Sequence, residues 1–131
     1  MPPLMYLWIA LGGALGSVGR AWVGVVSVRH MGTHFPWGTI LINVLGSALI
    51  GVVAATALSS SRTILNTETR IFLMLGVCGG FTTFSSFSLQ TFELLREGRT
   101  AAAFANIGLS VVLCVLATAA GYMGTAALVA R

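Results

Sequence analysis

The amino-acid sequence predicts an all-α integral membrane protein that crosses the bilayer four times. Hydrophobic residues make up 56% of the 131 residues and charged residues only 8%, whereas a soluble domain carries about 25% charged residues. A transmembrane helix needs about 20 mainly apolar residues, and four runs of the chain supply that length. We therefore expect residues 1–131 to form a single membrane domain.

The four predicted spans are separated by short polar segments. In chain order they cover residues 4–28, 37–58, 71–95 and 101–128. The first span contains Arg20, and a loop with two histidines and Pro36 follows it. The second span ends at three serines and Arg62, and a tight charged turn joins the third span to the fourth. Each polar segment is short enough to connect neighbouring helices of one bundle.

The third span contains the most informative segment, Gly-Gly-Phe-Thr-Thr-Phe-Ser-Ser-Phe-Ser at residues 79–88. Two adjacent glycines and five hydroxyl side chains do not suit an uninterrupted helix that faces lipid. Irregular backbone at this depth is tolerated only where it is buried in protein or lines a cavity. We therefore expect a break in the third helix at the glycine pair. Its freed carbonyls could coordinate a cation, as unwound helices do in transporters.

Polar side chains also occur deep in the second and fourth spans. Asn43 has Thr39 and Ser47 on the same helix face, four residues before and after it. The fourth span carries a stripe at spacing four: Asn106, Ser110, Cys114, Thr118 and Tyr122. Two interpretations stay open for these residues. They either form hydrogen bonds between helices, which the fourth-span stripe alone slightly favours, or line a polar pathway.

Phenylalanines recur every third residue around the break, at Phe81, Phe84 and Phe87. An aromatic stripe usually packs in a core, but here hydroxyl residues lie between the rings. The edge of an aromatic ring is electropositive, so ring edges and hydroxyl donors together would favour an anion. Glu93 is the only carboxylate in the predicted spans. A polar path rich in donors and poor in negative charge points toward anions.

With Arg20 set aside because it lies within a span, the remaining arginines are divided evenly between the two sides of the four-span topology. One side carries Arg62, Arg70 and Arg131, and the other side carries Arg29, Arg96 and Arg99. Because orientation normally follows an excess of positive charge on the cytoplasmic side, the chain has no charge signal for one orientation. Two copies could therefore insert oppositely and pair antiparallel. The alternative is a single, weakly biased topology.

Other functional classes find little support in the sequence. The net charge of +4 is scattered, whereas nucleic-acid binding needs a clustered basic face. His30 and His34 have no cysteine or carboxylate nearby to complete a metal site, and no nucleophile–base pair indicates an enzyme. Cys78 and Cys114 lie inside apolar runs, where small apolar packing explains them better than a disulfide.

The sequence resembles the Fluc (CrcB) family of fluoride channels over essentially its whole length. The resemblance is carried by the segment at 79–88, by Gly-Thr-Ile-Leu-Ile-Asn at 38–43 followed by Gly46, and by Gly-Arg at 19–20. It implies a dual-topology antiparallel homodimer with two parallel fluoride pathways in the cell inner membrane. Such a protein exports cytoplasmic fluoride passively, which lowers cellular fluoride and confers fluoride resistance.

The resemblance also implies roles for individual residues. The fluoride pathway would include Asn43, Phe84, Phe87, Thr39, Thr83, Ser86, Ser110 and Arg20. Backbone carbonyls of Gly79 and Thr82 match the positions that hold a structural Na⁺ at the dimer interface. The chain departs from the family pattern at Gln90, where some relatives carry an acid, and at Ser110, which is often Tyr or His.

Two alternatives belong to other functional classes. A small four-span multidrug-type exporter needs a carboxylate within the membrane, but the first span offers Arg20 and no acid. A structural membrane subunit would use the break only to pack against a partner. Ion flux through the purified protein would separate a channel from a structural subunit.

Overall fold

The structure is a computed structural model that describes residues 2–58 and 65–129. These described residues form helices and no strand. Four helices are long and apolar enough to cross a membrane: Pro3–Met31, Trp37–Thr56, Thr67–Arg96 and Thr100–Val129. The prediction of an all-helical chain with four candidate spans is confirmed. The serines at 59–61, Arg62 and Arg131, which entered the sequence analysis, lie outside the described residues.

The first helix, α1, covers Pro3–Met31 and ends at Gly32. Pro3 is tolerated in the first turn, because the first N–H groups of a helix have no intrahelical partner. Gly32 adopts a φ of +72°, and its N–H donates to the Val28 carbonyl at 2.9 Å. The helix therefore continues through His30, which the sequence analysis placed in the following loop. The second helix, α2, covers Trp37–Leu58.

The third span is a helix in two halves. Its first half contains α3 (Thr67–Ile71), a π-helical segment (Phe72–Cys78) and the short α4 (Gly79–Phe81). Asn66 caps this half, because its Oδ1 accepts a hydrogen bond from the Thr69 N–H at 2.8 Å. Its second half is α5, Phe84–Arg96. Thr82 and Thr83 between the halves are extended, with ψ of 157° and 105°.

The break therefore lies after the glycine pair and not at it, so the predicted position needs correction. Gly79 keeps a helical conformation, with φ −62° and ψ −38°. Gly80 serves close packing instead: a Cβ added there would lie 2.5 Å from the carbonyl oxygen of Gly13 and 2.9 Å from its Cα. The glycines bring two helix backbones together, and the threonines supply the interruption.

The sixth helix, α6, covers Thr100–Val129 and follows the tight turn after α5. Gly98 forms that turn with a φ of +73°, a conformation that glycine adopts at little cost. The Arg99 guanidinium donates to the His34 carbonyl at 2.7 Å, which ties this turn to the loop between α1 and α2.

Glycines set two close helix pairs, as expected for membrane helices. The helix α1 packs along the first half of the third span, where a Cβ on Gly76 would lie 2.9 Å from the Gly12 Cα. The helix α2 packs along α6, where a Cβ on Gly51 would lie 3.0 Å from the Tyr122 nitrogen. At both contacts the absence of a side chain on glycine lets the two helix backbones approach closely.

The helix α2 is the most enclosed span, and the other spans expose much of their apolar surface. In the most apolar stretch of α2, 39% of residues are buried inside the chain, against 11–17% in the other spans. Val18 and Trp22 of α1 are 70% and 68% exposed, and Phe104 of α6 is 66% exposed. Such surface is unfavourable in water, so it must face lipid or another protein chain.

Candidate functional site

A cavity of about 470 Å³ lies between α2, the third span and α6. Six residues that the sequence analysis assigned to a site line it: Asn43, Gly79, Thr82, Phe84, Phe87 and Ser110. Ser47, on the same face of α2 as Asn43, lines it as well. The fold thus brings polar groups and aromatic rings from three spans to one place.

Asn43 is joined to the break by two hydrogen bonds. The Thr83 N–H donates to Asn43 Oδ1 at 2.8 Å, and Asn43 Nδ2 donates to the Thr83 carbonyl at 3.1 Å. Because a backbone N–H can only donate, this pair fixes which end of the amide faces which backbone group. The Asn43 side chain therefore forms hydrogen bonds to both backbone groups of Thr83, as a neighbouring β-strand would.

Two backbone carbonyls at the break lack their usual helical donors. The N–H four residues after Gly79 belongs to Thr83 and donates to Asn43. The N–H four residues after Thr82 belongs to Ser86 and donates to Thr83 Oγ1 at 3.2 Å. Among the described residues, no hydrogen bond to the Gly79 or Thr82 carbonyl oxygen is found. Both residues line the cavity.

The three phenylalanines around the break have different environments. Phe84 and Phe87 line the cavity, with ring centroids 5.3 Å apart and ring planes tilted by 50°. Phe84 is 78% exposed in the single chain. Phe81 does not line the cavity, and its ring lies 3.5 Å from the Cβ that Gly19 of α1 would carry and 3.3 Å from the one that Gly46 of α2 would carry. The regular spacing in the sequence therefore does not place all three rings on one surface.

A hydroxyl cluster supports the start of α5. Thr83 Oγ1 donates to Ser86 Oγ at 2.9 Å and accepts the Ser86 N–H, so it caps the helix. Thr83 is buried, at 6% exposure. Thr83 and Ser86 were both assigned to the pathway, yet neither lines the cavity. In the single chain they shape the break beside the cavity.

Thr39 and Arg20 also stay outside the cavity. Thr39 is buried one turn before Asn43 on α2, and Arg20 lies in α1, which contributes no residue to the lining. Gln90 lines a smaller, more polar cavity of about 200 Å³ near His34 and Glu93. The Oε1 atom of Gln90 is buried there without a donor among the described residues.

The site assignment omitted a buried polar contact between α5 and α6. Asn106 is completely buried, and its Nδ2 donates to Thr91 Oγ1 at 2.8 Å. Thr91 in turn donates to the Phe87 carbonyl at 2.7 Å, and Ser110 donates to Asn106 Oδ1 at 3.4 Å. Asn106 was noted only within the polar stripe. A sequence signal for the pair exists, because Thr91 lies seven residues before the turn glycine Gly98 and Asn106 lies eight residues after it.

The fourth-span stripe therefore divides between the two interpretations. Asn106 forms an interhelical hydrogen bond, whereas Ser110 and Cys114 line the cavity. Both cysteines are free thiols, as expected from their apolar settings.

The groups that line the cavity suit the binding of an ion. Among the described residues, no group of three or more His, Cys, Asp or Glu side chains is placed to hold a metal ion. The described lining residues include no acid and no base. What they offer is an amide, hydroxyls and aromatic rings, together with carbonyl oxygens at the break. Such groups replace the hydration shell of an ion.

The chain is similar to known proteins over most of its length. A family model described as "CrcB-like protein, Camphor Resistance (CrcB)" matches residues 7–122. Relatives from Methylocella silvestris, Opitutus terrae and Nitrobacter winogradskyi, each named "Fluoride-specific ion channel FluC", are 50%, 48% and 52% identical to it. The aligned stretches cover 90%, 95% and 88% of this chain, and 90%, 94% and 90% of the relatives.

Proposed function

Since the chain belongs to the CrcB family, we propose that it is a fluoride-selective ion channel that lets cytoplasmic fluoride leave the cell passively. The names of its relatives describe ion channels and not enzymes. The observation that carries the proposal is the cavity, where three spans contribute an amide, hydroxyls and two aromatic rings. No acidic side chain is among its described lining residues, and an exporter of cations would need one.

The cavity supports an anion by supplying partial positive charge. Asn43 uses one of its two amide N–H groups on the Thr83 carbonyl, which leaves the second for the cavity that it lines. Ring edges of Phe84 and Phe87 and the Ser110 hydroxyl add further electropositive groups. Together they would replace water around a small anion while larger anions are held less well.

The driving force needs no coupled energy source. Moving one elementary charge across the membrane potential is worth about 2.3 kcal/mol per 100 mV. A negative-inside potential therefore drives an anion outward through a passive pore. Fluoride resistance follows, since neutral HF that enters the cell dissociates there and the released anion is removed.

The proposal includes a homodimer, because the single chain leaves its site uncovered. Phe84 is 78% exposed and Gly79 is also exposed, although both lie well inside a span. Polar backbone groups that face lipid cost several kcal/mol each. A second copy packed over the break would cover these groups, and the even division of arginines allows that copy to insert antiparallel.

The freed carbonyls suit the structural Na⁺ that the resemblance implies. Gly79 and Thr82 each present a carbonyl oxygen without a hydrogen-bond donor among the described residues, and unwound carbonyls commonly coordinate Na⁺. These two residues would hold the ion at the proposed dimer interface, where its charge would join the two copies. Four predicted pathway residues do not line the cavity of the single chain, and a second copy would have to bring them to the pathway: Thr39, Thr83, Ser86 and Arg20.

A fluoride-electrode assay on proteoliposomes tests the channel function. Phe84→Ile or Asn43→Asp should abolish fluoride efflux, the first by removing ring edges and the second by placing a negative charge beside the pathway. Phe104→Ile is the matched control, because Phe104 is similarly exposed at 66% but does not line the cavity. Undiminished efflux in both site variants would reject the assignment of the pathway.

Oligomeric state is measured separately. Native mass spectrometry of the detergent-solubilised protein should give twice the 13.6 kDa chain mass. A C-terminal tag accessible on both faces of membrane vesicles would indicate dual topology, whereas a tag confined to one face would contradict it.

A further inference from the structure

We propose that Asn43 is a positioning residue for the cation as well as part of the anion pathway, since its amide keeps the Gly79 carbonyl free. This inference rests on the proposed function, and in particular on a Na⁺ held by Gly79 and Thr82. One side chain of α2 would then prepare both ion sites.

The first step concerns the Thr83 N–H. In a continuous helix this group would donate to the carbonyl four residues earlier, which is that of Gly79. Here it donates to Asn43 Oδ1 at 2.8 Å. The preceding N–H, that of Thr82, still donates to the Cys78 carbonyl at 3.0 Å. The helical ladder therefore stops where the Asn43 oxygen replaces the Gly79 oxygen as acceptor.

The second step concerns what else holds the break open. Thr82 Oγ1 donates to the Cys78 carbonyl at 2.9 Å, and Thr83 Oγ1 caps α5 by accepting the Ser86 N–H. Neither contact uses the Thr83 N–H or the Gly79 carbonyl. If the acceptor on Asn43 were removed, the Thr83 N–H would be buried without a partner. The Gly79 carbonyl is the backbone acceptor nearest in sequence that could satisfy it.

The third step separates the two ends of the amide. Oδ1 accepts from Thr83, which frees the Gly79 carbonyl for a cation. Nδ2 donates to the Thr83 carbonyl and retains one N–H for the cavity. The oxygen end thus serves the cation site and the nitrogen end serves the anion pathway. Substitutions that remove one end or both should affect the two ions differently.

Asn43→Asp and Asn43→Leu make this distinction. A carboxylate keeps an acceptor for the Thr83 N–H but removes the N–H donor and adds a negative charge. Leucine has a similar volume and removes both functions. Asn43→Ala is made alongside Asn43→Leu, because a smaller side chain folds where leucine does not fit. Leu45→Ala, on the exposed side of α2, is the control.

The measurement is the rise in Tm of the purified dimer when Na⁺ replaces K⁺ at constant ionic strength. A purely structural defect lowers Tm equally in both salts, so the difference isolates cation binding. We expect Asn43→Asp to keep most of the wild-type rise and to lose fluoride efflux. Asn43→Leu and Asn43→Ala should lose both, and Leu45→Ala should lose neither.

Two results with the variants would overturn the inference: an undiminished Na⁺-dependent rise in Tm in Asn43→Leu or Asn43→Ala, or loss of that rise in Asn43→Asp. A wild-type protein that conducts fluoride but shows no Na⁺-dependent rise would also overturn it, while leaving the channel function in place. A wild-type protein that binds Na⁺ without fluoride efflux would reject the channel function alone.

Discussion

Gly80→Ala tests whether the close approach of α1 to the third span sets the position of the break. A Cβ at residue 80 would lie 2.5 Å from the Gly13 carbonyl oxygen and 2.9 Å from the Gly13 Cα, whereas ordinary contact begins at 3.4 Å. Both neighbours are backbone atoms, so no side chain can rotate away. The two helices must separate by roughly 1 Å, a shift that a close-packed interior accommodates poorly.

The magnitude follows from two opposing effects. Overpacking of this kind costs about 1–3 kcal/mol, while replacing glycine by alanine in a helix contributes about 1 kcal/mol of stability. We expect a net loss of up to about 2 kcal/mol in the free energy of unfolding, and a loss of about 2 kcal/mol is a factor of about 30 in the folded-to-unfolded ratio. Because Gly80 lies two residues before the break, fluoride efflux should fall as well.

Gly108→Ala provides the matched control for this prediction. Gly108 lies inside α6, and a Cβ there has no neighbour within 4 Å. The same substitution should therefore be neutral or stabilising by up to about 1 kcal/mol. Both variants are compared by equilibrium unfolding in mixed detergent and SDS. If Gly80→Ala is as stable as Gly108→Ala, the close packing described for α1 and the third span is incorrect.

Two further substitutions test contacts away from the cavity. Asn106→Leu removes the hydrogen bond to Thr91 between α5 and α6, which should lower the free energy of unfolding by about 0.6–1.7 kcal/mol. An unfolding free energy equal to that of the wild type would contradict this role. Gly98→Ala places a side chain at a φ of +73° and should lower the free energy of unfolding by about 1 kcal/mol. Fluoride efflux should stay unchanged, because Gly98 does not line the cavity. A variant more stable than the wild type would argue against the turn conformation.

Much of the fold could be predicted from local features of the sequence. The four spans follow from apolar length, because the hydrocarbon core sets a minimum helix length. The presence of a break follows from hydroxyl and glycine content within a span. Its position did not follow, since glycine suits both an interruption and close helix packing. Gly80 serves the second purpose, and only its contact with Gly13 distinguishes the two.

The candidate site was predicted in part. Asn43, Phe84 and Phe87 were assigned through the resemblance, and the fold brings them to one cavity. The Asn106–Thr91 contact was not assigned, because a polar stripe on one helix does not reveal its partner. Thr83 was assigned to the pathway, but in the single chain it caps α5 and pairs with Asn43.

The sequence by itself determined that this protein resides in a membrane, that it has four spans and that its third span is interrupted. These properties depend on composition within one segment at a time. Tertiary structure decided which carbonyls are free and which rings share a cavity. The Asn43–Thr83 hydrogen bonds join residues 40 positions apart, and such a contact exists only once helix packing has fixed the rotation of each helix about its axis.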